Sequence, residues 1–181
     1  MIYVQSQAAC VDRFEASLKS GDLGGADGAG TTAVAASVAG GTPIAMVTYH
    51  QAKKICANSG KRLCKATEWQ QACMGAVNVA YPYGGTYDAA ACNTNGSTSA
   101  PAMAGSYPRC VSPHGLVDQS GNVWEWTDTQ FSAATDRKIL GGGYGSTPEN
   151  STCTSDLNTV NGAALPLEEA RDSLGFRCCL T

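Results

Sequence analysis

The pattern of apolar and polar positions predicts two short helices. Thr48 and Gln51 have the spacing of a capping box, so a helix is predicted from there to about residue 59, which is followed by a glycine. The apolar side of this helix carries three residues at helical spacing, Ala52, Ile55 and Cys56. A second helix is predicted over residues 66–74, where apolar residues stand four positions apart on one face.

Short strands are predicted near both ends of the chain. An opening strand is expected over residues 10–15 and a closing strand over residues 175–179. Residues 20–41 are nearly all Gly, Ala, Ser, Thr and Asp, which predicts a long surface loop because such side chains bury little apolar area. Residues 75–113 alternate turn signals with aromatic residues. Much of the chain is therefore predicted to be irregular.

Length and charge narrow the class of protein. The 181 residues suit a single domain over residues 1–181 with a core of its own. The formal charge of −3 and the scattering of the twelve Lys and Arg residues argue against nucleic acid as a partner. No apolar run reaches the roughly 18 residues that a bilayer-spanning helix needs, so a soluble fold without a transmembrane segment is expected.

The nine cysteines indicate an oxidising compartment, where thiols pair and persist as disulfides. The alternative, a zinc site, lacks a CxxC pair, and the chain has only two histidines. Cys92 and Cys110 stand 18 positions apart, and a bridge between them would contribute about 3 kcal/mol by loop entropy. We expect a secreted, periplasmic or cell-surface protein. No signal peptide is visible, so an export signal was cleaved or the chain is a fragment of a longer exported protein.

The stretch over residues 116–126 sets acidic residues around a glycine and between two tryptophans. Asp118 and Glu125 can each offer carboxylate oxygens, and a bend at Gly121 can aim backbone carbonyls at the same point. Such an oxygen donor set is what calcium needs. The alternative is an ordinary acidic surface turn with two core indoles. The residues alone leave both interpretations open.

Six segments in a fixed order carry a resemblance to a known family. They are Arg13-Phe14-Glu15, Val47-Thr48-Tyr49, Gly60-Lys61-Arg62-Leu63 before Glu68-Trp69, Gly121-Asn122-Val123-Trp124-Glu125-Trp126, Gly141-Gly142-Gly143-Tyr144 and Gly175-Phe176-Arg177. Together they resemble the formylglycine-generating-enzyme, or sulfatase-modifying-factor, family from about residue 9 onward. The resemblance implies an α+β fold, the FGE-sulfatase variant of the C-type-lectin-like fold. In this fold antiparallel strands bring the termini together, two helices pack on them, and disulfides fasten a large share of irregular chain.

The resemblance also implies a structural calcium ion at the central turn. Family members bind a cation through a side chain at the Asp118 position, carbonyls at Gly121 and Val123, and the carboxylate at Glu125. A second family site begins with an asparagine that resembles Asn93, but the acidic loop completing it is shortened here. Only the first site is predicted.

Two further disulfides follow from the resemblance, one from the first helix to the closing strand and one from the second helix to the segment after the glycine run. The pairs are Cys56 with Cys178 and Cys73 with Cys153. The cysteines left over are Cys10, Cys64 and Cys179. Three cannot all pair, so one free thiol, or an intermolecular disulfide through the odd cysteine, is expected.

The residues after the glycine run argue against the family's oxidase activity. The family's enzymes oxidise a substrate cysteine to formylglycine with two cysteines that bind copper, and Ser146 and Ser151 stand at those positions. A soft Cu(I) ion needs thiolates, so no copper is expected. Cys153 lies two residues beyond the second position, and a shifted register could bring it closer to replace one ligand. A formylglycine-type oxidoreductase with an altered metal site is therefore kept as the alternative.

The remaining hypothesis is an exported, non-catalytic, lectin-like binding module stabilised by calcium. Small polar residues around an aromatic suit contacts with a glycan or a protein on a surface. The predicted ligand-binding residues are Tyr144, Ser146, Asn150, Ser151 and Asn158, with Asn161 nearby. The alternative for these residues is a solvated loop. A further alternative for the whole chain is a structural domain of an extracellular fibre or surface assembly.

Overall fold

The computed structural model describes all 181 residues, Met1–Thr181. It contains three α-helices, which are α1 (Tyr49–Asn58), α2 (Ala66–Met74) and α3 (Leu157–Asn161). The nine strands are β1 (Ile2–Val4), β2 (Ala9–Val11), β3 (Ser17–Ser20), β4 (Val34–Ala36), β5 (Arg62–Leu63), β6 (Trp124–Trp126), β7 (Ile139–Leu140), β8 (Leu174–Phe176) and β9 (Cys178–Leu180). None of the helices has the length and apolar character that crossing a bilayer requires.

The strands form three small sheets with the orders β1-β2-β9-β5, β3-β4 and β7-β6-β8. Every pairing is antiparallel except that of β6 with β8, which is parallel. Because β2 lies between β1 and β9, the first and last strands meet in one sheet. The chain termini therefore come together, as expected of this α+β, C-type-lectin-like fold.

The two predicted helices are confirmed, and local sequence explains how the first one begins. The Gln51 N–H donates to Thr48 Oγ1 at 3.2 Å, and the Thr48 N–H donates to Gln51 Oε1 at 3.0 Å, which completes the capping box. Helix α1 ends at Asn58, and α2 has the predicted bounds. The short helix α3 was not predicted. Its N-cap is Asp156, whose carboxylate accepts an N–H of the first turn.

Both predicted terminal strands are shorter than expected. The opening strand ends at Val11, although the Asp12 N–H still donates to the Cys178 carbonyl of β9 at 2.9 Å. The closing strand is divided into β8 and β9 at Arg177, whose side chain is fully buried.

Residues 20–41, predicted to be a surface loop, contain strand β4, which pairs with β3. Ala33 and Ala35 bury their methyl groups in the core. The Asn58 amide at the end of α1 donates to the carbonyls of Thr31 and Ala33, each at 3.0 Å. The segment is therefore ordered by contacts with α1 that its own composition does not reveal.

Four disulfides fasten the domain and agree with every pairing expected from the sequence. They are Cys56–Cys178, Cys73–Cys153, Cys92–Cys110 and Cys64–Cys179. The last pair joins two of the three leftover cysteines, and Cys10 remains free. Cys178 and Cys179 are neighbours on β9, so their side chains leave the strand on opposite faces. One bridge holds α1 and the other holds the chain after β5.

The core consists of two main clusters, one on each side of strand β9. One lies beneath α1 around Trp126 and Phe176, and the other surrounds Trp69 of α2. The central turn supplies residues to both clusters, Leu116 to the second and Trp124 to the first. Because its residues pack in both clusters, the turn is held between them.

Candidate functional site

The central turn has a tightly constrained backbone. Asp118 and Asn122 have φ values of 60° and 61°, and Gly121 has a φ of 77°, so three residues lie in the left-handed region. A Cβ atom on Gly121 would lie 2.1 Å from the Asn93 carbonyl oxygen. Only glycine fits at this position. The backbone of the turn therefore packs directly on the loop that follows Cys92.

The Glu125 carboxylate is fully buried, and both of its oxygens accept hydrogen bonds from side chains. The Trp69 indole donates to Oε2 at 2.7 Å, and Arg177 donates to Oε1 at 2.6 Å through Nη2 and to Oε2 at 2.8 Å through Nε. The single Arg177 Nε–H is shared with Oε1 at 3.0 Å, so both oxygens of Glu125 accept hydrogen bonds within the protein. A cation at these oxygens would compete with Arg177 and Trp69.

Two more carboxylates lie close to this ion pair. Asp118 Oδ2 accepts the Gly105 N–H at 2.7 Å. Burial raises the pKa of Asp118 to about 6, although the Gly105 N–H and Arg177 offset part of the rise. Glu15, which the sequence did not single out for this site, is fully buried and accepts the Asn122 amide at 2.6 Å. Burial and the negative charge of Asp118 raise the pKa of Glu15 well above its ordinary value.

The charge of this cluster permits a test of whether calcium fits. Three carboxylates, those of Glu15, Asp118 and Glu125, face the single guanidinium of Arg177, so buried negative charge is in excess. Hard oxygen donors with uncompensated charge suit calcium. The oxygens of Glu125 are already bonded, which leaves Asp118 as the carboxylate of the turn that could bind an ion, and no group of three or more His, Cys, Asp or Glu side chains is placed to hold a metal. The acidic residue of the Arg-Phe-Glu segment was the one sequence signal for Glu15.

Asn93, the first residue of the family's second cation site, has a structural role here. Its amide donates to Asn122 Oδ1 at 3.0 Å, and its Oδ1 accepts the hydroxyls of Ser97 and Thr98. Both ends of the side chain are therefore used within the protein.

A cleft of about 310 Å³ opens beside the glycine run. Tyr144, Ser146 and Asn150, three of the five predicted ligand-binding residues, line it together. The Tyr144 hydroxyl donates to Asp172 at 2.8 Å, which raises the pKa of Tyr144. Ser146 Oγ accepts the Gly143 N–H at 2.9 Å. The prediction thus brought together residues that are neighbours in space.

The other two predicted ligand-binding residues do not line the cleft. Ser151 is fully buried, and its hydroxyl donates to the Pro148 carbonyl at 3.0 Å. Asn158 is also buried, its amide donates to the Arg137 carbonyl at 2.8 Å, and its Oδ1 accepts the Leu165 N–H at 2.7 Å. Both side chains have their polar groups engaged inside the protein, so neither can reach a ligand.

Trp124 is a cleft residue that sequence reasoning assigned to the core. Its side chain is 5% exposed, and it lines the cleft beside Gly143. A Cβ atom on Gly143 would lie 3.1 Å from Trp124 Cδ1, so the glycine leaves this edge of the indole uncovered. The spacing of two tryptophans around Glu125 gave no signal that one of them faces a cleft.

No thiol lies at the cleft. Ser146 lines it, whereas Ser151 lies beneath Gly142, where an added Cβ would be 2.9 Å from Ser151 Cα. Cys153 is bonded to Cys73, so the alternative in which a shifted register frees it as a metal ligand is contradicted. The single free thiol, Cys10, lies in β2.

A larger cavity of about 600 Å³ lies elsewhere, between Tyr83 and Pro113. Its two charged residues, Asp88 and Arg109, are already paired with each other at 2.7 Å. The smaller cleft beside Trp124 is therefore the better candidate site, because its polar groups remain available.

Comparison with solved structures places the fold. The chain aligns with PvdO from Pseudomonas aeruginosa at a TM-score of 0.63 and 18% identity, over 80% of this chain and 67% of that one. It aligns with the Major Tropism Determinant P3c variant at a TM-score of 0.52 and 15% identity, over 92% of this chain and 54% of that one. These similarities support the C-type-lectin-like fold.

Sequence comparison identifies the family. The chain is 32% identical over 149 residues to the inactive C-alpha-formylglycine-generating enzyme 2 of Bos taurus. The alignment covers 75% of this chain and 49% of that protein. The chain thus spans about half the length of this relative. Residues 8–181 match the family described as Sulfatase-modifying factor enzyme 1-like domain. With its fold, its central turn and its glycine run in place, the chain belongs to the FGE-sulfatase family.

Proposed function

We propose that this FGE-sulfatase domain is a non-catalytic binding module whose ligand, a glycan or a protein, occupies the cleft beside Trp124. The observation that carries the proposal is the state of the cysteines. Eight are in disulfides, and the two positions where copper would need thiolates carry hydroxyls, Ser146 in the cleft and Ser151 buried beneath Gly142. Similarity to a relative named as inactive supports the same conclusion.

Copper binding and peptide oxidation test this proposal against the oxidoreductase alternative. We expect no stoichiometric Cu(I) binding at the cleft and no aldehyde on a cysteine-containing sulfatase peptide under oxygen, because a hydroxyl is a poor ligand for Cu(I). Cys10→Ser is the control that removes adventitious copper at the free thiol. One copper ion per chain in that variant, together with aldehyde formation measured by mass spectrometry, would show that the domain is an enzyme.

We also propose that calcium stabilises the central turn, held by Asp118 and the carbonyls of Gly121 and Val123. Excess buried negative charge and the left-handed backbone at Asp118 and Gly121 support this ion. Its role would be to neutralise charge and to fix the turn. Glu125 would contribute through its charge, because its oxygens are held by Arg177 and Trp69.

An exported location, meaning secreted, periplasmic or at the cell surface, accompanies this function. Four disulfides in one domain are typical of an oxidising compartment. An exported domain would meet a glycan or a protein on a cell surface, which is the kind of ligand proposed here.

A structural role in an extracellular assembly is the second candidate, and the surroundings of Cys10 favour it. Cys10 is partly exposed and pairs across the sheet with Tyr3 on one side and Leu180 on the other. These neighbours are 59% and 40% exposed, so an apolar row surrounds the free thiol. Such a row could pack against a second copy and bring two thiols together.

Non-reducing electrophoresis of the oxidised protein tests the second candidate. We expect a disulfide-linked dimer band that disappears on reduction and is missing in Cys10→Ser, because Cys10 is the only free thiol. A wild-type protein that stays monomeric at high concentration under oxidising conditions would exclude covalent assembly through this residue.

A further inference from the structure

The Trp124 indole N–H forms no hydrogen bond within the protein, although most of the side chain is buried. The indoles of Trp69 and Trp126 donate to Glu125 and to the Val47 carbonyl, as buried tryptophans usually do. Trp124 is 5% exposed, against 1% for each of the other two, and its N–H donates to no protein group and lies at the wall of the cleft. An added Cβ on Gly143 would be 3.4 Å from Trp124 Nε1, so the glycine keeps this donor open.

Other free donors line the same cleft. The side chains of Asn150 and Ser173 form no hydrogen bond within the protein, and both line the cleft. Ser146 Oγ accepts the Gly143 N–H, which leaves its own proton free to donate. The cleft therefore presents several donors around one fixed indole.

The lining contains no charged residue. An ion placed there would lose its hydration without gaining a counter-charge, so an uncharged ligand is favoured. Leu157 and Val160 add apolar side chains to the same lining. A ligand that offers both oxygen acceptors and C–H groups matches this lining.

Size separates a sugar from a protein surface as the ligand. The volume of about 310 Å³ lies near the lower end of the roughly 300–1,000 Å³ that ligand clefts span, which suits one ring. Protein interfaces are usually built on exposed aromatic and arginine anchors, whereas this lining has no arginine and its two aromatic residues, Trp124 and Tyr144, are buried or half-buried.

We propose that the cleft binds one neutral monosaccharide unit of a glycan, with the Trp124 N–H as its anchoring donor. This rests on the proposed binding function and selects the glycan from its two ligand classes. The Trp124 donor sets orientation, because its position is fixed by the core. Asn150 and Ser146 supply adaptable hydrogen bonds at the rim.

The test uses the whole domain and a panel of immobilised neutral sugars, namely glucose, galactose, mannose, fucose and N-acetylglucosamine, beside sialylated and sulfated glycans. We expect at least one neutral sugar to bind, and Trp124→Phe and Asn150→Leu each to weaken that binding about tenfold, the effect of one lost hydrogen bond. Gln5→Leu is the control, since it replaces an exposed side-chain amide outside the cleft by the same apolar residue. Melting temperatures show whether each variant is folded.

Each other outcome overturns the sugar assignment. Binding of charged glycans alone, or binding unaffected by both cleft variants in folded protein, would contradict it. If no sugar binds but a displayed peptide does, with the same dependence on Trp124 and Asn150, the sugar assignment fails and the binding module stands. If nothing in the glycan panel or a displayed peptide library binds, both the assignment and the binding function fail.

Discussion

Replacing Arg177 with methionine is expected to lower the free energy of unfolding by about 3–5 kcal/mol, because it leaves the buried Glu125 carboxylate without its counter-ion. Arg177 is fully buried and also donates to the carbonyls of Asp12, Arg13 and Val117, which would lose a partner as well. A change of about 2–4 °C in melting temperature per kcal/mol is usual for a chain of this size. Thermal unfolding with the disulfides intact measures the loss.

Arg109→Met is the matched control for this prediction. Arg109 also donates to a carboxylate, that of Asp88, at 2.7 Å, but the two side chains are 59% and 44% exposed. Its loss is therefore expected to cost about 1 kcal/mol or less. Changing Glu125 to Gln in the Arg177→Met background should restore part of the stability, since no unpaired ion is left. Equal losses in the two single variants would show that Arg177 does not hold the turn.

The parts of the structure that the sequence predicts are those set by neighbouring residues or by the family pattern. Thr48 and Gln51 fix the start of α1 within one turn, so the helix is predictable from local chemistry. The pairings of Cys56 and Cys73 came from the family resemblance instead. The family pattern supplies long-range pairs that periodicity alone cannot.

Site residues were misassigned where a distant partner decides their role. From the sequence, Glu125 is interpreted as a cation ligand. In the structure its carboxylate is hydrogen-bonded to Arg177, which lies 52 positions later in the chain. Asn158 resembles a loop residue until its bonds to Arg137 and Leu165 are seen. The Trp124 donor was missed for the opposite reason, because only the folded chain shows that it has no partner. Polar composition thus located the cleft but did not tell which side chains face it.

The carboxylates of Glu15, Asp118 and Glu125 can be neutralised in two ways, by protons or by a calcium ion at the same turn. Glu15 and Asp118 hold protons more tightly in the folded protein than ordinary carboxyl groups do, because burial raises the pKa of each. A divalent cation would satisfy the same excess of negative charge while leaving Asp118 ionised. The turn is therefore expected to be stabilised by protons at acidic pH and by calcium at neutral pH.

Calcium is expected to raise the melting temperature at neutral pH. At a hundredfold excess over its Kd it should add about 2.7 kcal/mol to the free energy of unfolding. Without calcium, stability should fall as pH rises from about 4 through about 6. Asp118 has a pKa of about 6 in the folded protein, against an ordinary value of 3.8, so the folded state binds more protons in this window. The loss from Asp118 is at most about 3 kcal/mol. Thermal melts across pH, with calcium and with a chelator, measure both effects.

Asp118→Asn separates these effects, because asparagine can still accept the Gly105 N–H but cannot ionise. We expect this variant to lose most of the calcium response and to show a shallower fall in stability between about pH 4 and 6. Asp88→Asn is the control, since the Asp88 side chain is 44% exposed, its ion pair is with Arg109, and an asparagine can still accept the Ala90 N–H. A wild-type melting temperature that calcium leaves unchanged at neutral pH would exclude the ion from the turn. A pH slope that persists in Asp118→Asn would assign the titration to Glu15, whose fully buried carboxyl group bonds the same turn through Asn122.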